Sequence, residues 1–282
     1  MTAHRTGSFA PIAGVSLDRP RIMGIVNVTP DSFSDGGQFP TARAAADHAR
    51  RLVEAGADFL DIGGESTRPG AEPVSEQEQM DRVLPVIELL AGKTPAPLAL
   101  DTRKPRVMAA AREAGAAIWN DVSALTYAPD SLVTAARLHC PVILMHARGD
   151  PKTMQDKPFY DDVVKDVRAF LEARIAACLQ AGIVQARLII DPGIGFGKSL
   201  AHNLALLNNI HAFDTLGCPV LIGASRKRFI GALSGDAPAD RRLGGSIAVA
   251  LRAAMDGARV IRVHDVAETR QALDVWEAMA QG

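Results

Sequence analysis

Cysteine is scarce in this sequence. Cys140, Cys178 and Cys218 are odd in number and far apart, which excludes a disulfide framework and the close spacing of a thiolate metal site. Cys140 and Cys218 each precede Pro-Val and an apolar run, and they read as packing residues at strand entries. An excess of either charge is also missing. With 31 basic and 32 acidic residues the net charge is −1, so nothing pulls the whole chain toward nucleic acid or an anionic membrane. No apolar run approaches transmembrane length. Residues 1–20 lack a basic region followed by an apolar core, so no signal peptide is expected and the expected location is cytoplasmic. His146, His202, His211 and His264 lack zinc spacing. No Ser-His-Asp or Cys-His arrangement is evident.

What is present is a large core: 48% of the 282 residues are hydrophobic and 22% charged. One pattern recurs about eight times, a short apolar run, a polar or Gly-rich loop, then a helical stretch. The runs are Ile22–Val26, Phe59–Ile62, Leu98–Leu100, Ala116–Trp119, Val142–Met145, Leu188–Ile190, Val220–Ile222 and Val260–Val263. Helices are expected at Ala42–Ala55, Glu76–Ala91, Pro105–Ala114, Asp161–Ala181, Ser246–Met255 and Glu268–Ala280. Ser75 with Glu78 reads as a capping box. Alternating strands and helices mean parallel strands joined by right-handed crossovers. The expected fold is α/β, a single (β/α)8 TIM barrel over residues 21–282, after an N-terminal extension over 1–20; an open sheet is the alternative.

The residues at the carboxyl ends of these runs are polar. They are Asn27, Asp61 with Glu65, Asp101, Asn120 with Asp121, His146, Asp191, Ser225-Arg226-Lys227, and Arg262 with His264. Ligands meet a barrel at that end. Two connections there are long, Asn27 to Pro40 and Gly63 to Val74, and both suit lids that exclude water. The segment Arg187–Leu200, R-L-I-I-D-P-G-I-G-F-G-K-S-L, ends a buried run on Asp191 and continues into a bare loop. It is not a P-loop, because Pro192 stands where the first Gly is required. It is not a dinucleotide fingerprint, because Lys198 stands where the last Gly is required.

Asp101, Asn120 and Asp191 could together accept hydrogen bonds from a flat ring bearing N–H and NH₂ groups. The bland alternative for Asp101 is an ion pair with Arg103 or Lys104. Arg68, Arg226, Lys227, Arg262 and His264 form a basic rim where barrels often bind phosphate. Asn27 could give a neutral oxygen to a Mg2+ held mainly by phosphate. Lys227 is either a ring or anion contact or a Schiff-base lysine. A planar amine-rich heterocycle beside a diphosphate suits displacement of that diphosphate by a nucleophile.

The motifs in order are Met23 to Gly37, Asp61 to Gly70, Asp101-Thr102, Asn120-Asp121-Val122-Ser123, Met145-His146, Asp191 to Lys198, Ser225-Arg226-Lys227 and Arg262-Val263-His264-Asp265. Over about residues 21 to 275 the chain resembles the dihydropteroate synthase family of pterin-binding barrels. The resemblance implies an enzyme of folate biosynthesis, a homodimer whose partners are small molecules. It would join 6-hydroxymethyl-7,8-dihydropterin diphosphate to 4-aminobenzoate, with Mg2+ as cofactor and sulfonamides as mimics of the second substrate. It implies that Asp101, Asn120, Met145, Asp191, Phe196, Gly223 and Lys227 hold the pterin. Asn27, Arg68, Arg262 and His264 would hold diphosphate, with the metal at Asn27. Phe33, Thr67, Pro69 and Ser225 would receive 4-aminobenzoate. Asp101, Lys227 and Asp35, the last in the first lid, would carry catalysis. A pterin-barrel methyltransferase, a Schiff-base lyase and a non-catalytic pterin binder remain as alternatives.

Overall fold

The apolar runs form strands at β1 (Arg21–Asn27), β2 (Phe59–Gly63), β3 (Leu98–Asp101), β4 (Ile118–Asp121), β5 (Val142–Met145), β6 (Leu188–Asp191), β7 (Leu221–Ile222) and β8 (Val260–Val263). The computed structural model describes residues 9–28, 38–65, 74–149 and 158–281. The strands are all parallel and make one sheet in the order β6-β5-β4-β3-β2-β1-β8-β7. A parallel bridge between Ile190 and Val220 joins its two ends, so the sheet closes into the expected barrel.

The helices are α1 (Gln38–Glu54), α2 (Glu76–Leu90), α3 (Pro105–Ala114), α4 (Ser131–Leu138), α5 (Val163–Gln180), α6 (Leu200–Leu207), α7 (Arg228–Leu233), α8 (Leu243–Met255) and α9 (Val266–Gln281). None of the described helices is long and apolar enough to cross a membrane. The short α4, α6 and α7 went unmarked in the sequence because each gives barely two turns in which to show a period. Only half of the expected capping box forms: Ser75 Oγ accepts from Glu78 N at 3.1 Å, while the Glu78 carboxylate turns to Arg82. The fourth strand begins at Ile118 rather than Ala116. Gly115 ends α3 in the left-handed region at φ +117°, and Ala116 N still donates to Ala111 O, so Ala116 belongs to the turn.

Strand side chains alternate between the two faces of a sheet. The outward set, including Val26, Leu60, Ile62, Leu100, Trp119, Leu144 and Ile190, packs beneath the helices. The inward set forms a second core of Met23, Phe59, Ala99, Ile118, Ile143, Ile189, Leu221 and Val260, one residue from each strand. Ile12 and Leu17 complete this layer from below. Ile12 opens, and Leu17 follows, a tight hairpin in which Ile12 and Val15 exchange both backbone bonds at 2.9 Å around Ala13 and Gly14. The segment before β1 thus closes the amino end of the barrel. Leu17→Ala is expected to cost about 2–5 kcal/mol, the range for a buried Leu that leaves a cavity. Urea unfolding checks this, and an unchanged midpoint would remove Leu17 from the core.

Candidate active site

Two residues further along each strand, the inward positions are Ile25, Asp61, Asp101, Asn120, Met145, Asp191, Gly223 and Arg262. The apolar layer gives way here to a layer that bonds across the barrel. Arg262 Nε donates to Asp61 Oδ2 at 2.5 Å and Arg262 Nη2 to Asp101 Oδ2 at 3.0 Å. Asn120 Nδ2 donates to Asp61 Oδ2 at 3.0 Å. Gly223 lies beside the stem of Arg262, where a Cβ would meet Arg262 Cβ in ordinary contact at 3.7 Å. Burial and the neighbouring Asp61 push Asp101 up to about 7, and Arg262 opposes the rise. Asp191 is also raised by burial, with Lys227 pulling against it.

Asp191 Oδ1 accepts from Gly193 N at 2.7 Å, at the foot of the bare loop. Lys227 reaches back across that loop to Ile194 O, and its ammonium lies 4.5 Å from the centre of the Phe196 ring. Burial lowers Lys227 to about 8, while Asp191 holds it up. These residues thus line one wall: a carboxylate, an ammonium and an aromatic face. At the rim, Ser225 Oγ lies 3.1 Å from His264 Nδ1 and accepts from His264 N at 3.2 Å. Asn27 ends β1 beside Gly63 of β2, and its Oδ1 lies 3.8 Å from where a Cβ on that glycine would stand.

Several polar residues from the sequence reading sit elsewhere. Asp121 faces away from the barrel interior and organises a turn, accepting from Ser123 N at 2.7 Å and Leu125 N at 3.0 Å. Arg226 leaves the rim to pair with Asp265. Arg103 and Lys104 pair with Glu65, at 3.6 and 3.1 Å, and not with Asp101, whose cation is Arg262. Lys104 also donates to Val74 O, and Val74 N donates to Glu65 at 3.3 Å, joining the stems of the segment between residues 65 and 74. Phe33, Asp35, Thr67, Arg68 and Pro69 lie outside the described residues.

Two site residues have little mark of their role in the sequence. Asp61 is one of several polar strand ends, and only the step of two from Phe59 signals that it faces inward. Lys198 is buried and its Nζ reaches His146 Nδ1 at 2.9 Å, Phe196 O at 3.0 Å and His146 O at 3.3 Å. Burial and Lys198 press His146 down to about 3, so the ring is neutral. Lys198 therefore ties the loop after β5 to the loop after β6. That junction is tight: a Cβ at Gly193, where φ is +69°, would fall 1.9 Å from His146 O. Gly193→Ala is expected to force the loop after β6 away from the His146 carbonyl and to destabilise the fold by about 1–3 kcal/mol, the range for strain at a special backbone position. Thermal melting checks it, and a wild-type melting temperature would refute it.

The model of the pterin binding enzyme family matches residues 23–264. The chain belongs to this family. Dihydropteroate synthase of Escherichia coli is 48% identical over 270 residues, covering 96% of this chain and 95% of that protein. The structure of Xanthomonas albilineans dihydropteroate synthase with 4-aminobenzoic acid superposes with a TM-score of 0.90 at 55% identity, covering 95% of this chain and 96% of that one. The same enzyme in complex with 7,8-dihydropteroate gives a TM-score of 0.86 at 52% identity, covering 94% and 95%. Within the pterin-binding family, the chain stands with the dihydropteroate synthases.

Proposed function

We infer that the chain catalyses attack of the 4-aminobenzoate amine on the methylene of 6-hydroxymethyl-7,8-dihydropterin diphosphate, giving 7,8-dihydropteroate and diphosphate. The observation that carries this reading is the inward layer, in which Asp101, Asn120 and Asp191 share one mouth with Arg262. The carboxylates and amide match the N–H groups of a pterin. Lys227 supplies a charge-assisted contact on the same wall.

An aromatic amine is a weak nucleophile, so the reaction gains from early cleavage of the methylene C–O bond. The electron pair leaves with diphosphate. The methylene is left electron-poor, with its positive charge spread into the electron-rich ring. Asp101, ionised beside that ring, favours this charge. The amine nitrogen then bonds to the methylene and releases a proton. Arg262 and His264 neutralise the departing diphosphate.

Among the described residues no cluster of three or more His, Cys, Asp or Glu could hold a metal by itself. The neutral oxygen of Asn27 fits a Mg2+ that takes most of its ligands from phosphate. Such an ion would stabilise charge on the leaving group. The same reading takes the enzyme to be a cytoplasmic homodimer. Exposed Val275 and Met279, four residues apart on α9, are apolar groups that pairing through late helices would cover.

The test is diphosphate release on mixing the protein with Mg2+, the pterin diphosphate and 4-aminobenzoate. Release is expected to need both substrates. No release, or release at the same rate without 4-aminobenzoate, overturns the assignment.

A further inference from the structure

We propose that Asp61 is a positioning residue for this reaction: its carboxylate fixes the Arg262 guanidinium and the Asn120 amide in the orientation that receives the pterin diphosphate. The proposal rests on the functional reading above and deepens it. Asp61 is fully buried on β2, between neighbours Ile25 on β1 and Ala99 on β3. One oxygen, Oδ2, accepts from both Arg262 Nε at 2.5 Å and Asn120 Nδ2 at 3.0 Å. The other, Oδ1, is buried without a partner among the described residues.

That asymmetry is costly. An ionised carboxylate inside a barrel loses hydration, and an empty lone pair recovers none of it. A hydrophobic residue of similar volume would pack the same space without the cost. What Asp61 provides is geometry. Arg262 has rotatable bonds along its stem, and Asn120 has an amide that can flip. Bonding to one shared oxygen removes both freedoms, so a bound ring meets groups already aligned. Arg262 keeps Nη2 on Asp101, so Asp61 also sets the angle at which the guanidinium lies against the ring site.

Charge adds a separable signature. The groups acting on Asp101 are Asp61 on β2, Glu65 just after it, Asp121 on β4 and Arg262 on β8. Lys227, from the loop after β7, also feels the Asp101 charge. The Asp61 charge opposes ionisation of Asp101, so its removal lets Asp101 ionise at lower pH.

The experiment compares wild type, Asp61→Asn and Asp61→Glu in the full chain, by thermal melting and steady-state kinetics across pH. Asp61→Asn keeps the shape and loses the charge. It is expected to raise KM for the pterin diphosphate roughly 10- to 100-fold, to leave KM for 4-aminobenzoate within about twofold, and to move the acid limb of kcat/KM to lower pH. Asp61→Glu keeps the charge and displaces the oxygen. It is expected to weaken the pterin diphosphate in the same way with the acid limb unmoved. A pterin diphosphate KM within twofold of wild type in either folded variant overturns the proposal. So does an equal loss for both substrates, or failure of both variants to fold, since Asp61 would then serve the barrel as a whole. An inactive wild type would instead overturn the functional reading beneath.

Discussion

Asp101→Asn is expected to lower kcat roughly 10²–10³-fold at saturating substrates, the usual loss when one preorganised electrostatic group is removed from a reacting centre. The isosteric amide can still accept a hydrogen bond from the ring, so binding should suffer less than turnover. It cannot offset positive charge developing on the methylene. The fold should survive, because the substitution removes one of two carboxylates that repel each other beside Arg262. The pH profile gives a second readout. Asp101 sits at about 7, so wild-type kcat/KM for the pterin diphosphate should fall as pH drops below that value and Asp101 takes up a proton. The variant should lose that limb. Unchanged turnover at saturation would remove Asp101 from the chemistry.

Arg262→Met is expected to be the most damaging change to the folded state itself. It strands Asp61 and Asp101 in the barrel without their shared cation. Removing one partner of a buried ion pair typically costs about 3–5 kcal/mol, because the remaining charge stays buried. At roughly 2–4 °C per kcal/mol for a chain of this size, the melting temperature should fall by about 10 °C. The sign of the pH dependence tests the cause. Asp101 is already raised to about 7 with Arg262 opposing the rise, and without Arg262 it must rise further. Its folded value then lies well above the unfolded value near 3.9. Between those two values the folded chain holds the extra proton, so folding strengthens as pH falls. The deficit against wild type should therefore shrink as pH falls from 9 to about 7 and level off below that, where both folded chains hold the proton. A deficit that stays constant across that range would mean that lost packing, not stranded charge, is the cause. Diphosphate binding should weaken in the same variant.

The eight apolar runs were legible because a strand buried on both faces must be apolar almost without break, and helix-ending glycines such as Gly115 show directly as residues. The polar strand ends were legible for a related reason. Asp101, Asn120 and Asp191 end runs in which a charge has no structural use. The long signatures around Asn27 and Asp61 carried the family.

Other features had no signature in one dimension. Whether Asp121 or Asn120 faces the barrel interior depends on register, and shifting a strand by one residue exchanges its faces. The sequence offered Arg103 and Lys104 as partners of Asp101 because they are its neighbours in the chain. The fold instead brought Arg262, from the far end of the chain, to within 3.0 Å. Asp61 and Lys198 show the same limit, since their partners lie 59 and 52 residues away. The sequence by itself determined which elements form and which chemical groups stand at their ends, because those follow from local spacing and burial pattern. Only the tertiary structure decided which group meets which, because closure of the barrel, not nearness along the chain, sets the distances over which charges pair.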